Sequence, residues 1–391
     1  MHVALLFLWA CFGQARAEVS LQQAVASALA RDTQKDVVLA HQEEAKALLR
    51  FSRQFLAKAP AIALSYGEDS PTTNVGSRQW GMALELPLWW PRQHAHAKAV
   101  GEQSMTLAEK FAAARALTIA GQAREAIAAV AIANAKLDSA SHEARHASEI
   151  AADLKKRFDL GEAARRDWLL AMQNQKRYED ILQTAQAELN KAAAAYRALT
   201  GLTEYPSHES LATPAALHPL LALASADERF AKAEMALVQK GRGDNPMLTL
   251  GTNRERGIAS DPYATNLMIG IRIPFATEAF NAPAMAKARN RWAERSAEKA
   301  QIKRQILLAQ EQGQADLAAL KKALQAAQTR LDLANETARM ARLAYDSGEE
   351  DFLDYLRFEG ERADAQAIHA LRLAEYHRAI ARLNQAYGVI P

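Results

Sequence analysis

The sequence repeats itself, and the repeat limits what the chain can become. Pro87 and Pro274, Gly161 and Gly348, Glu162 and Glu349, Asp167 and Asp354, and Gly201 and Gly388 are identical pairs, each 187 residues apart. An apolar seam in alternating steps of three and four repeats at the same offset. It runs Val130, Ala133, Leu137, Ala140, Ala144, Ala147, Ala151, Leu154, Phe158, and again Leu317, Leu320, Leu324, Ala327, Leu331, Ala334, Ala338, Ala341, Tyr345. Such spacing, held for about four heptads, is that of helices packed as a coiled coil. A tandem duplication means one structural unit made twice, so the units expected are 18–204 and 205–391.

Each unit reads as helix, β-hairpin, long helix, turn, helix. The first opens with a helical pattern from Ser20, a plausible N-cap, expected over 19–58 and ended by Pro60. Residues 93–158 contain no proline and only Gly101 and Gly121, which predicts one helix about 100 Å long at about 1.5 Å per residue. A turn at Asp159–Glu162 leads to a return helix over 164–199, stopped by Gly201 as a C-cap glycine. Residues 202–218, with Pro206, Pro214 and Pro219, read as a linker, and the second opening helix is expected over about 219–241. The return helix covers only half of its long neighbour, so the opening helix is expected to fill the other half.

The hairpins interrupt this Ala-rich helical background at 61–87 and 247–274. In the first, Trp80, Met82, Leu84 and Leu86 alternate with Gly81, Ala83 and Glu85, the period of a strand with two unlike faces. Strands of about nine residues with interfacial aromatics suit a transmembrane β-barrel rather than a membrane helix. Trp89 and Trp90 would form an aromatic girdle at one rim, with Trp80, Tyr66 and Tyr263 nearer the other. The plainer reading of the tryptophan pair is that it fills the joint between strand and helix. Two hairpins give four strands per chain, too few to close, and open edges are not tolerated in lipid. Three copies would close a twelve-stranded barrel. Glu85 and Arg272, equivalent by the 187-residue offset, fall on the small-residue face and would line its wet lumen.

Val3 to Ala10 followed by Ala15-Arg16-Ala17 reads as an export signal cleaved after Ala17, with only His2 in the charged region before it. The single cysteine, Cys11, invites a lipoprotein reading that Trp9-Ala10 fits poorly. Beyond the N-terminus no apolar run reaches the length of a membrane helix. With 48 Lys and Arg against 45 Asp and Glu, nothing points to a nucleic-acid partner. No phosphate loop, nucleophile elbow or zinc-protease helix is present, so neither catalysis nor a cofactor is expected.

Taken in order, these motifs resemble those of TolC-like outer membrane efflux proteins, in particular the short CzcC-type heavy-metal branch. The likeness rests on Leu84-Glu85-Leu86-Pro87-Leu88-Trp89-Trp90-Pro91 with Ile271-Arg272-Ile273-Pro274-Phe275, and on the turns Arg157–Glu162 and Ala344–Glu349. It implies a mainly α protein with a small transmembrane β part. A homotrimer would pair a twelve-stranded outer-membrane barrel with a periplasmic α-helical barrel in a Gram-negative bacterium. Its partners would be a periplasmic adaptor and an inner-membrane pump of the RND type, or of the ABC type. Carried over by position, the adaptor-contacting turns are Phe158, Asp159, Leu160, Gly161 and Glu162 with Tyr345, Asp346, Ser347, Gly348 and Glu349, whose outward swing would open a gate.

Glu349, Glu350, Asp351, Asp354 and Asp167 lie where the return helices begin. Carboxylates there complement the helix dipole; in a trimer they would also ring an entrance and favour cations. His94 and His96, and His142 and His146 one helical turn apart, are the weak metal candidates, each short of further ligands. Two rivals remain: a periplasmic adaptor, which would not need the symmetric repeat, and a structural coiled coil, which would not need the hairpins. A duct for divalent metals is the reading preferred, with a drug or type I polypeptide export duct as the alternative.

Overall fold

The computed structural model describes residues 19–391 except 71, 242, 243, 276 and 277. The export signal expected over 1–17, with Cys11, lies outside the described residues. The elements follow the expected order twice. Repeat one holds α1 (Leu21–Ala30), α2 (Lys35–Ser52), β1 (Ala61–Glu68), β2 (Arg78–Pro87), α3 (Gln93–Asp159) and α4 (Arg165–Thr200). Repeat two holds α5 (Pro219–Lys240), β3 (Met247–Arg256), β4 (Ala264–Arg272), α6 (Glu278–Asp346) and α7 (Phe352–Ala386).

The first opening helix departs from expectation: it is two helices, not one over 19–58. Ser20 and Gln23 form a reciprocal capping box that starts α1, but Arg31 ends it and α2 begins four residues later. Asp32 and Thr33 are weak helix formers, and the Asp32 N–H turns back to the Leu29 carbonyl at 3.2 Å. The helix also stops at Ser52 rather than near Leu56, whose backbone bridges to Leu88 beside the hairpin. In α5, Pro219 takes the first helical position, where its missing N–H costs nothing. Gly201 closes α4 in the left-handed conformation, as expected.

Two compact units divide the chain, and each draws on both repeats. One comprises the chain up to Asp32, Ala116–Pro214 and Ala309–Pro391; the other comprises Thr33–Arg115 and Ala215–Leu308. The first is helical. In it α1 packs Val25 onto Ala120 and Ala123 of α3, with Leu199 of α4 alongside. Further along, Ala144 and Ala147 meet Tyr178 of α4 and Ala363 of α7. Near the turns Ala151 and Leu154 meet Ala171, Phe352 and Tyr355. The predicted seam of α3 is therefore its core line: small alanines let the helices approach closely, and larger residues from α4 and α7 fill the grooves between them.

The linker between the repeats is pinned in this same unit. Buried Arg124 donates to both oxygens of Glu209 (2.8 and 3.0 Å) and to the Val389 carbonyl, while Asn384 bonds Glu209, the Ser210 carbonyl and the Ala212 N–H. One 18-residue stretch of α3 does have the composition of a membrane helix, contrary to the sequence reading, and 44% of it is buried. Its alanines serve helix packing instead.

In the second unit the four strands form one antiparallel sheet in the order β1-β2-β3-β4. Glu85 pairs with Ala61 and with Thr249, and Met247 with Arg272, so the register runs without a break across the two repeats. There α5 is tied to α6 by Arg291–Glu234 (2.8 Å), Arg295–Asp227 (3.2 Å) and Lys299–Glu228 (2.8 Å). Burial raises the pKa of both Asp227 and Glu234 against their arginine partners.

Candidate functional site

Strand register sorts the sheet into two unlike faces. One carries Ile62, Leu64 and Tyr66 of β1, Trp80, Met82, Leu84 and Leu86 of β2, Leu248 and Leu250 of β3, and Leu267, Ile269 and Ile271 of β4. Its side chains are bare: Ile62 is 70%, Leu64 77%, Leu267 81% and Ile269 69% exposed. The other face carries Ala61, Ala63, Ser65, Gly67, Gly81, Ala83, Glu85, Thr249, Gly251, Asn253, Asn266, Gly270 and Arg272, with Met247 and Met268 as its larger apolar members. On it Arg272 Nη2 lies 3.8 Å from Glu85 Oε1, so the two charges singled out in the sequence face each other across β3. A contiguous apolar face of this size, bare in a folded chain, marks a surface that is covered by something other than water. β1 and β4 each have one edge unpaired within the sheet, as an incomplete barrel would.

The aromatic residues lie at both ends of the apolar face. Tyr66 packs at a tilt against Trp80 at the loop end (4.4 Å between ring centres). At the helix end Trp89 Nε1 donates to the Gln54 carbonyl and Trp90 Nε1 to the Asp244 carbonyl, both at 3.0 Å. The tryptophan pair thus fills the joint between strand and helix while staying part-exposed. His94 packs at a tilt against Trp89 (5.4 Å between ring centres).

In the helical unit the two turns are copies. Gly161 (φ +79°) and Gly348 (φ +78°) both sit in the left-handed region. Glu162 N–H donates to the Arg157 carbonyl and Glu349 N–H to the Ala344 carbonyl, each at 2.8 Å, the Schellman closure of a helix end. Phe158 stacks on Trp168, and Tyr345 on Tyr355, each at 5.3 Å and 9°. These pairs are again 187 residues apart. Burial pushes the Tyr355 hydroxyl up to about 12 and raises that of Tyr345. Arg157 helps to link the copies: it reaches Asp346 (3.6 Å) and lies over the Tyr345 ring.

Among the acidic residues, Asp351 caps α7 by accepting the Asp354 N–H (2.9 Å), and Asp354 pairs with Arg357 (3.3 Å). Asp167 lies in the first turn of α4 beside Arg166 (3.2 Å). Glu349 and Glu350 are exposed at the turn, as are Asp159, Leu160 and Ser347. Capping accounts for Asp351; it does not account for Glu349 and Glu350.

The histidine pair of α3 is split between two carboxylates. His146 Nε2 lies 3.1 Å from Glu359 of α7, and His142 Nδ1 is 3.4 Å from Glu143. Between them Arg362 spans Glu143 (3.0 Å) and Glu359 (2.8 Å), both nearly buried. The Glu359 bond raises the His146 pKa. For Glu359 itself burial pushes upward, but the bonds from His146 and Arg362 prevail and lower it. Among the described residues no three His, Cys, Asp or Glu side chains converge as metal ligands would. Sequence reading missed this network, because Glu143 and Arg362 are far apart in the chain and only the fold joins them.

No family model matches the sequence, and no curated protein does either. The fold, by contrast, matches solved structures of outer membrane channels. The chain covers 94% of itself and 96% of the outer membrane protein VceC of Vibrio cholerae, at 16% identity and TM-score 0.74. It superposes on the CmeC outer membrane channel of Campylobacter jejuni at TM-score 0.73 with 14% identity (94% and 85% covered). For CusC, a protein that forms a transmembrane channel, the values are 0.77 and 16% (95% and 92% covered). The chain therefore has the TolC-like channel fold expected from its motifs, over nearly its whole length. The likeness does not single out the CzcC-type branch.

Proposed function

We propose that this chain is the outer membrane exit channel of a tripartite efflux system in a Gram-negative bacterium. The carrying observation is the sheet: one bare apolar face, one small and polar face, and two free edges. Three copies would join edge to edge into a closed twelve-stranded barrel, with the apolar faces in lipid and Glu85 and Arg272 in the lumen. The half-covered seam of α6 supports the same assembly on the helices. The duct performs no chemistry; a pump of the RND or ABC type would supply the energy through a periplasmic adaptor.

Adaptor contact is assigned to the exposed turns Phe158–Glu162 and Tyr345–Glu349, which would swing outward to open the entrance. Trp80 at one end, and Trp89 and Trp90 at the other, would form the two girdles. Divalent metal cations are the cargo proposed. This rests on the CzcC-like motifs and on Glu349 and Glu350, exposed carboxylates that would ring a trimeric entrance and favour cations. His94, His96, His142 and His146 are given no part in it, since among the described residues neither pair has the further ligands to hold a metal.

The test is direct. Membrane fractions should contain a heat-modifiable trimer that forms discrete water-filled pores in planar bilayers. Neutralising Glu349, Glu350 and Asp354 together should lower the cation selectivity of those pores. A soluble monomer that forms no pores would end the proposal; pores of unchanged selectivity would remove only the acidic entrance.

A further inference from the structure

Beyond the apolar band, at the loop end of the sheet, the same face turns basic. Arg78 of β2 lies opposite Arg256 of β3, and Arg254 lies opposite Trp80. These three share the parity of Leu248, Leu250, Met82 and Leu84, so they continue the apolar face rather than the polar one. Arg254 and Arg256 flank a single ring, with guanidinium carbons 4.9 and 5.1 Å from the Tyr263 centre. Arg256 is further fixed by donating Nε–H to the Gly76 carbonyl at 3.0 Å. Stacking of this kind holds a guanidinium in place and leaves its outer N–H groups free.

Glu68 lies directly opposite Arg78 on this same face, but it and the other nearby carboxylates are held by partners other than these arginines. Glu68 accepts the Tyr66 hydroxyl, Asp69 accepts Thr73 Oγ1 and the Val75 N–H, and Asp261 accepts the Ile258 N–H. Glu255 sits on the opposite face, held by Asn253 and Asn266. Among the described residues none of the three arginines forms an ion pair. They stand on the two central strands, so the patch is complete within one chain and is not an edge awaiting a second copy.

We propose that Arg78, Arg254 and Arg256 form a binding site for the phosphate groups of an acylated glycolipid of the lipid A kind. Its acyl chains would lie on Leu64, Met82 and Leu267, and Tyr66 and Trp80 would stand at the boundary. The inference rests on the membrane reading above, which puts the strand loops at the outer surface. Arginine pairs with phosphate through two parallel N–H bonds, and a basic residue at a membrane surface favours an anionic headgroup several-fold. A cationic cluster bordering a bare apolar face fits an amphipathic anion better than a soluble one.

The purified full chain in neutral detergent would be titrated with bisphosphorylated lipid A and with its dephosphorylated form, and bound lipid read by native mass spectrometry. The phosphorylated form should bind about tenfold more tightly or better. That preference should vanish in an Arg78→Gln/Arg254→Gln double variant and persist in Lys191→Gln, a helix-surface control. Equal binding of the two lipids, or a preference that survives the double variant, overturns the site. So does full displacement of lipid A by equimolar inorganic phosphate, which would mark a bare anion site. Flotation with phosphatidylcholine vesicles separates the two levels. A protein that floats without phosphate preference loses only the rim site, whereas one that never floats loses the membrane reading as well.

Discussion

The two long helices are copies of one repeat, yet the seam of one is enclosed and that of the other is mostly half-covered. Along α3 the seam positions Val130, Ala133, Ala140, Ala144, Ala147, Ala151 and Leu154 are all buried. Along α6 the equivalent seam is mostly half-covered, and Ala327, Ala338 and Ala341 are its only fully buried side chains among the described residues. Both carry the same coiled-coil pattern, so the difference is not in the helices but in their neighbours: α3 has helices on both sides of its seam and α6 lacks some. A duplicated unit closed into a ring repeats its contacts across the boundary between copies. In the proposed trimer the missing neighbours of α6 would be the elements of another chain.

The comparison can be broken at one seam position. Ala147 is buried at 3%, and its counterpart 187 residues on, Ala334, is half-buried. Ala147→Glu places an unpaired charge in a closed core and should cost about 3 kcal/mol or more, enough to prevent folding. Ala334→Glu should leave the helix content and thermal stability of the monomer nearly intact and abolish the trimer. Circular dichroism melts and native gels report the two effects separately. Equal destabilisation by both substitutions would mean that α6 is closed within its own chain.

The charge network gives the next largest effect. Arg362 stands between Glu143 and Glu359 in the α3–α7 contact. Arg362→Met would leave two carboxylates facing each other in a nearly dry groove, with an expected loss of about 3 kcal/mol. The offset places Leu333 on α6 where α3 has His146, and Met172 on α4 where α7 has Glu359. Both are exposed here, at 61% and 37%. If the ring repeats the α3–α7 contact between chains, Leu333 of one copy meets Met172 of the next, an apolar pair in place of an ionic one. A Leu333→Cys/Met172→Cys variant should then cross-link into a covalent trimer under mild oxidation. Cross-linked dimers without trimers, or no cross-link at all, would contradict the ring.

These two contacts also mark where the sequence stopped being readable. The repeat, the hairpins and the turns were legible because each is a local pattern: a fixed offset, an alternation of two, a glycine after a long helix. Gly161 and Gly348 could be placed to the residue, and so could the faces of Glu85 and Arg272. The break between α1 and α2 was not legible, because Asp32 and Thr33 interrupt the amphipathic pattern too briefly to show against it. Nor was the role of His146. Its i,i+4 partner His142 drew attention to a metal, whereas its physical partner, Glu359, comes from the other repeat. Arg254 and Arg256 were visible as residues, but their meaning depends on sharing a face with Leu248 and Leu250, which only strand register settles.

The turns sharpen the comparison in the opposite sense, since there the two copies should behave alike. No atom lies within 4 Å of a Cβ built on Gly161 or Gly348. A side chain therefore meets no steric neighbour and only the left-handed backbone resists it, at about 1–2 kcal/mol. Gly161→Val and Gly348→Val should each destabilise by about that amount or slightly more, since branching at Cβ adds to the strain. If the turns gate the duct, each should also impair export in cells at full expression. Normal export by both would take gating away from the turns.

The smallest effect is a pH slope, and it too separates the copies. His146 has its pKa raised above the ordinary value of 6.5 by the bond to Glu359. A raised folded-state pKa means that the stabilisation is fully present below about 6.5 and is lost as pH rises through the folded value. Glu359 works in the other direction: its lowered pKa gives stability above 4.5 that is lost as pH falls below it. Their joint contribution is therefore greatest between these limits, in mildly acid solution. The equivalent residues Leu333 and Met172 do not titrate, so the contact between chains should carry no such slope. Chemical denaturation of the isolated chain should show stability declining from pH 6 to 8, and His146→Gln should flatten that decline. Trimer dissociation measured over the same range should stay level. A decline equally present in the variant would assign the slope to other groups, and a matching slope in trimer dissociation would show that the boundary between chains is not the apolar copy of the α3–α7 contact.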